Sequence, residues 1–421
     1  MSLEKYRWDL INCERCNNCL WDHPWRVKDA KYAKICPSNE RYLFAAYSCQ
    51  GRFDIARGLM DGEIKYSDRV LDIIYRCSLC GACDVTCKVY RDMEPLEILQ
   101  ELRVKCVEDG QGPLPAHKPI IDSVKSYDNV WMQPRGRRNA WAKGLNIKDL
   151  NKEKAEVLYY VGCTYAYEPR LQKVPQNTAN LLKKAGVDFG ILGNKEFCCG
   201  SPILKIGDRK LYESYAQKNI EAFNRLGVKK VVTSCAGCYG LFKAHYPAVG
   251  KMGFEVLHIT EYIEQLIEEG KITFSKELPL AVTWHDPCHI GRLGEPYVPW
   301  EGKRAKYGLY DPPKKLNRGT NGVYEPPRNV LRSIPGIDLI EMERIKEFSW
   351  CCASGGGVKS AFPDFAIWSA RERINEAKST GADALVTSCP WCEANFMDAN
   401  EEEQSGEIKL YDLVDLVLQV I

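Results

Sequence analysis

Adjacent cysteines occur twice in the chain, in Phe197-Cys198-Cys199-Gly200-Ser201-Pro202 and in Trp350-Cys351-Cys352-Ala353-Ser354-Gly355-Gly356-Gly357. Successive side chains of a strand point to opposite sides, so both thiols of a pair serve one site only where the backbone turns sharply. Gly200 and Pro202 are residues that build such a turn. Each pair has companions in the same order. Cys163 precedes the first pair and Cys235-x-x-Cys238 follows it; Cys288 precedes the second and Cys389-x-x-Cys392 follows it. Five thiolates exceed what one tetrahedral zinc takes. Soft donors in that number select an iron–sulfur cluster over a hard metal.

The other ten cysteines lie in residues 1–110. Cys77, Cys80, Cys83 and Cys87 form the C-x2-C-x2-C-x3-C run of bacterial-type ferredoxins, in which the fourth thiolate ligates the cluster of the other motif. The other motif is Cys13, Cys16, Cys19 and, after 16 intervening residues, Cys36-Pro37. The expected sets are therefore Cys13, Cys16, Cys19 and Cys87 on one cubane [4Fe–4S] cluster, and Cys77, Cys80, Cys83 and Cys36 on a second. The long gap holds Trp21, His23, Pro24 and Trp25 and reads as a loop over the first cluster. Two four-cysteine zinc sites are the alternative, but three thiols at successive x2 spacing exceed a zinc knuckle's need. Cys49 and Cys106 fit no motif and read as buried core thiols.

The elements that must hold these residues follow from the pattern. Ser67–Tyr75 and Pro95–Glu108 read as helices of a mostly helical N-terminal domain, residues 1–110. Residues 111–155, with GQGPLP, RGRR at 135–138 and NKEK at 151–154, read as a connector whose basic cluster is a solvated face. Beyond it strands and helices alternate, which implies parallel sheets with right-handed crossovers. Strands are expected at Glu156–Val161, Val187–Leu192 and Lys230–Thr233, then at Leu280–Trp284, Leu339–Met342 and Ala384–Thr387. Helices are expected at Asn177–Ala185, Asp208–Leu226 and Phe365–Ser379. The phrase Val-Thr-Ser-Cys-x-x-Cys recurs at 232–238 and 386–392. Two tandem α/β domains, 156–275 and 276–421, each place cysteines where strands end, the usual location of sites on such sheets. Cys198 to Cys351 spans 153 residues but Cys163 to Cys288 only 125, so the second repeat carries 28 extra residues between Cys288 and Cys351, placed at about 295–327. A long loop beside a site is commonly a lid or a contact surface.

A net charge of +2 asks for neither nucleic acid nor an acidic membrane surface. No apolar run approaches the ~18 residues that cross a bilayer. The expectation is a cytoplasmic chain with reduced thiols, and any membrane contact is made through a partner.

The series C-x34-C-C-G-x34-C-x-x-C from Cys163 to Cys238 resembles the "CCG" domain. Two such repeats behind a two-cluster ferredoxin domain resemble the D-type subunit of heterodisulfide reductase over nearly the whole chain. The resemblance implies two noncubane [4Fe–4S] clusters, on Cys163, Cys198, Cys199, Cys235 and Cys238 and on Cys288, Cys351, Cys352, Cys389 and Cys392. These clusters are the catalytic centres of disulfide cleavage by one-electron chemistry, with the two cubanes wiring them to a donor. The chain shows no nicotinamide or flavin motif, so no flavin or NAD is expected in it. The implied partners are a flavin-containing heterodisulfide reductase A-like subunit or a membrane cytochrome in a hetero-oligomer. The loop with Asp22-His23-Pro24-Trp25 and the stretch WCCASGGGVKSAFPDFAIWSA are similar to relatives from strict anaerobes, including the electron-transfer subunit of a class II benzoyl-CoA reductase complex. The second repeat departs from the motif at Ala353, in the place of Gly200, and a methyl there calls for a different backbone.

Plainer readings stand beside these. Cys389-Pro390-Trp391-Cys392 has the form of a thioredoxin-type dithiol, but its twin Cys235-Ala236-Gly237-Cys238 favours ligands. Ser354-Gly355-Gly356-Gly357 lacks a phosphate-loop context and reads as backbone approaching a cluster. His285 and His289 flank Cys288 as packing groups or as donors to a cluster. A zinc-stapled adaptor with no redox role is the alternative from another class.

Overall fold

The computed structural model describes residues 2–23, 26–402 and 408–421. Pro24 and Trp25 of the expected cluster loop lie outside the described residues. The N-terminal segment is helical, and its helices include Cys49–Asp61, Asp68–Tyr75, Ala82–Tyr90 and Pro95–Glu108. Their apolar faces meet in one core around Phe53, Ile74, Leu99 and Leu102.

The rest is built on two parallel sheets. The first runs β1 (Lys148–Asp149), β3 (Phe189–Ile191), β2 (Val157–Tyr160), β4 (Lys230–Thr233) and β5 (Glu255–His258) across the sheet. The second runs β9 (Ile337–Leu339), β6 (Leu280–Trp284), β10 (Ala384–Thr387) and β11 (Lys409–Asp412). Strand for strand, β3-β2-β4-β5 and β9-β6-β10-β11 have the same order, so the repeat seen in the cysteines is a repeat of topology. The chain leaves β2 toward β3 on one side and returns to β4 on the other. Ligands of open parallel sheets bind at such a reversal, outside the carboxyl ends of the strands. Every cysteine of the two repeats follows one of those ends. Helices cover both faces, which is why β2 and β10 are buried along their whole length.

Three expectations change. The segment 111–155 does more than connect: it forms the helix Lys118–Tyr127 and supplies β1, which pairs with β3 through Lys148↔Gly190 and Asp149↔Ile191. Its basic cluster is a solvated face only in part: Arg137 is exposed and Arg135 half-buried, but Arg138 is 2% exposed. The strand expected at Leu339–Met342 ends at Leu339, and β5 and β11 join the sheets unforeseen.

The insertion carries a small antiparallel ribbon, β7 (Lys303–Arg304) and β8 (Tyr310–Asp311). It straps the helical segment to the second repeat and lines no part of the cysteine cavity described below. Arg304 pairs with Asp9, Lys314 with Glu94, and Lys88 Nζ donates to Asn317 O at 3.0 Å.

Candidate functional site

All ten cysteines of the two repeats line one cavity of about 940 Å³. In the first repeat, Gly162 carries the chain from β2 into Cys163 at φ +78°, and Gly200 turns it after the pair at φ +87°. That turn lets Gly200 N donate to Cys198 Sγ at 3.4 Å while Cys199 Sγ meets Cys238 Sγ at 3.4 Å. The second repeat reproduces both contacts: Ala353 N to Cys351 Sγ at 3.3 Å, and Cys352 Sγ to Cys392 Sγ at 3.4 Å. Ala353 keeps the left-handed turn at φ +60°. The backbone differs only slightly, with φ at Ala353 smaller than the +87° of Gly200, and the alanine accepts the strain of a left-handed turn.

The crowding polarises the thiols in the same way on both sides. Hydrogen bonds from Cys198 and Cys238 lower Cys199 to about 6, and those from Cys351 and Cys392 lower Cys352. Cys163 is driven up by its bond to Cys198 and by burial. Bound metal would deprotonate all of them.

Arg138 sits on the first site. Its Nη1 and Nη2 lie 3.6 and 3.7 Å from Cys163 Sγ, and its guanidinium pairs with Glu196. Glu196 also accepts from Val161 N at 3.1 Å and Gly162 N at 3.0 Å, so one buried carboxylate fixes both the arginine and the loop that presents Cys163. On the second site His289 Nδ1 approaches Cys288 Sγ at 3.2 Å. His285 faces away: it stacks edge-on against Phe396 and accepts from Arg373 Nε at 3.1 Å. Gly356 and Gly357 border the cavity, but what their backbone approaches is protein: added Cβ atoms would stand 2.6 Å from Ser78 O and 2.6 Å from His117 Nε2.

Cys13, Cys16, Cys19 and Cys87 line a smaller cavity of about 360 Å³ near the surface, with Cys49 and Tyr90. Cys36 faces Cys77 and Cys80, and Cys83 faces the same two thiols. Cys49 is more than a core thiol: it contacts Cys19 in one group and Cys83 in the other. Cys106 is a buried core residue beside Tyr75 and Tyr66. Cys80 contacts Cys351, and Ser78 Oγ lies 3.6 Å from Cys351 Sγ, so the second four-cysteine group abuts the second repeat. The described residues of the loop after Cys19 reach both toward their own group and toward the second repeat. His23 meets Tyr90 at 2.8 Å, while Lys28 N donates to Glu343 and Arg26 packs on Phe348.

The donor set fits iron–sulfur clusters. Among the described residues no group of His, Cys, Asp or Glu closes on a single point as one metal ion requires; the thiols stand round cavity walls. The buried Nε2 of His289 and Oγ of Ser354, both on the wall of the larger cavity, have no hydrogen-bond partner, as groups facing a bound cofactor would. Spacing could not have found Arg138 or Cys49, whose partners are 25 and 30 or more residues away in sequence.

Paired parallel sheets whose strand ends carry five cysteines apiece define a protein of the cysteine-rich redox class. The CCG cysteine-rich domain model matches residues 157–243 and 311–397. The second match starts after Cys288, inside the insertion, yet Cys288 occupies the place of Cys163 at the end of the first strand of its repeat. The chain is 31% identical to the D-type subunit of dihydromethanophenazine:CoB--CoM heterodisulfide reductase of Methanosarcina acetivorans, over 98% of this chain and 94% of that protein. It is 30% identical to EtfAB:quinone oxidoreductase of Syntrophomonas wolfei over 85% of this chain, spanning 48% of that protein. A crystal structure of a hypothetical protein from Helicobacter pylori shares the fold at TM-score 0.54 and 10% identity, covering 94% of this chain and 69% of that one. The chain belongs to the family of heterodisulfide reductase D-type subunits, which are iron–sulfur oxidoreductase proteins.

Proposed function

We propose that the chain passes electrons from two cubane [4Fe–4S] clusters to two noncubane [4Fe–4S] clusters inside a larger redox complex. Residues 1–110 form the cubane-bearing domain, 111–155 the connector, and 156–275 and 276–421 the two CCG domains. The observation that carries this reading is the single cavity shared by all ten CCG thiols, joined to the second four-cysteine group by the contact between Cys80 and Cys351. Bound clusters supply one-electron steps there. A disulfide RSSR′ reduced in the cavity takes up two electrons and two protons and leaves as RSH and R′SH. Cys16, the most exposed of the thiols, marks the face where an electron donor docks. The named relatives act on different partners, a heterodisulfide in one case and a quinone in the other, so relay to a partner protein is the second form of the same reading. Among the described residues no helix is long and apolar enough to cross a membrane, and in this reading any quinone or membrane chemistry belongs to a partner.

Anaerobically purified protein is expected to carry roughly sixteen irons per chain, four per cluster. Zinc in place of iron overturns the reading. Reduction of a small disulfide by the isolated chain with an artificial donor marks catalysis, and turnover only with partner proteins marks relay.

A further inference from the structure

Four buried cations surround the second four-cysteine group and the second CCG site, and among the described residues none of them meets a carboxylate. Arg52, 1% exposed, donates only to Ser38 Oγ and to carbonyls that include Ile73 O, and faces Cys36. Arg103, fully buried, donates to five backbone carbonyls, among them Cys77 O and Gly356 O. Arg292, 6% exposed, donates to Cys80 O, Glu347 O and Ser349 O and faces Cys80, Cys288 and Cys351. Lys205, 4% exposed, borders the ten-thiol cavity, and its ammonium makes no hydrogen bond or ion pair among the described residues. The thiols of Cys288, Cys77 and Cys80 bear on its charge.

A buried charge without a countercharge costs several kcal/mol, and here there are four. The remaining source of negative charge is the thiolate-held clusters themselves. The other two sites differ. Beside the first four-cysteine group, Arg15 pairs with Asp54 and Arg91 with Glu14. Beside the first CCG site, Arg138 pairs with Glu196. The acidic groups beside the second CCG cysteines are engaged elsewhere: Asp286 pairs with Arg328, and Glu393 accepts from Cys389 N and from the Tyr165 hydroxyl. Reduction adds negative charge to a cluster, and a cation in a low-dielectric surround stabilises that charge.

We propose that Arg52, Arg103, Lys205 and Arg292 are positioning residues that hold the second cubane and the second CCG cluster at higher reduction potentials than the first of each kind. Electrons then collect at the Cys80–Cys351 junction before they reach the first CCG site. The inference rests on the iron–sulfur reading above.

The test is a redox titration of the full chain, loaded anaerobically and followed by electron paramagnetic resonance, with signals assigned through Cys16→Ser and Cys80→Ser. Lys205→Met removes the charge and breaks no hydrogen bond. The expected result is unchanged iron content, a more negative midpoint for the second cubane and second CCG signals, an unmoved first cubane, and recovery in Lys205→Arg. Arg292→Met is expected to shift the same two signals and carries the test if Lys205→Met fails to load. Fully loaded variants with all midpoints unmoved, or moved equally, overturn the proposal. A wild-type chain without iron would instead overturn the reading beneath it.

Discussion

Ala353 and Gly200 occupy the same turn with different side chains, and that difference is measurable. A left-handed alanine costs roughly 1–2 kcal/mol, while a buried methyl returns about 0.8 kcal/mol; Ala353 is fully buried. Ala353→Gly is therefore expected to leave stability within about 1 kcal/mol of the parent. Gly200→Ala meets both penalties, because the turn is left-handed and the new methyl would stand 3.1 Å from Tyr212 Cδ2. It is expected to lower stability by about 1–3 kcal/mol in anaerobic thermal or urea unfolding. An equal effect of the two changes would mean that the turns are not equivalent.

At the scale of elements, the segment 111–155 owes its place to the pair Arg138–Glu196. Glu196 is 2% exposed, so Glu196→Ala leaves a buried guanidinium without its partner and frees Val161 N and Gly162 N. The expected cost is about 3–5 kcal/mol, with loss of iron from the first CCG site before the second, read by iron analysis and spectroscopy during partial unfolding. Cysteine spacing made the two repeats legible because the Cys-x-x-Cys and Cys-Cys ligand units are local, and the strands that precede them carry strong apolar runs. The fixed offsets also set an insertion at about 295–327, the stretch that carries the β7–β8 ribbon. Other features were hidden because their causes are not local. The strand at 409–412 reads Lys-Leu-Tyr-Asp and takes its conformation from pairing with β10. Arg138 lies in a stretch without periodicity, and Arg103 on a helix reaches Gly356 O, 253 residues away. Burial of a cation is decided by what packs on it, which spacing does not carry.

At the scale of the whole molecule, the four segments meet at Gly356-Gly357. Ser78 of the helical segment, His117 of the 111–155 segment and Ile206 of the first repeat all press on these two glycines of the second repeat. His117 Nε2 lies 2.9 Å from Gly357 O, its ring packs on Tyr75, and Nδ1 is buried without a partner. With a carbonyl as partner, Nε2 carries the proton and the ring is neutral. Burial lowers the histidine to about 4, against about 6.5 in the unfolded chain. The unfolded state then binds the extra proton between those two values, so stability rises with pH across that window. This contribution is full above about pH 6.5 and is lost as the pH falls toward 4. From pH 7 to pH 5 the loss is about 2 kcal/mol for this one group. His117→Gln keeps an N–H for Gly357 O and does not titrate, so its unfolding midpoint is expected to fall less than the parent's over the same range. Parallel pH profiles for the two proteins would mean that the ring is not held neutral, and that the junction does not depend on it.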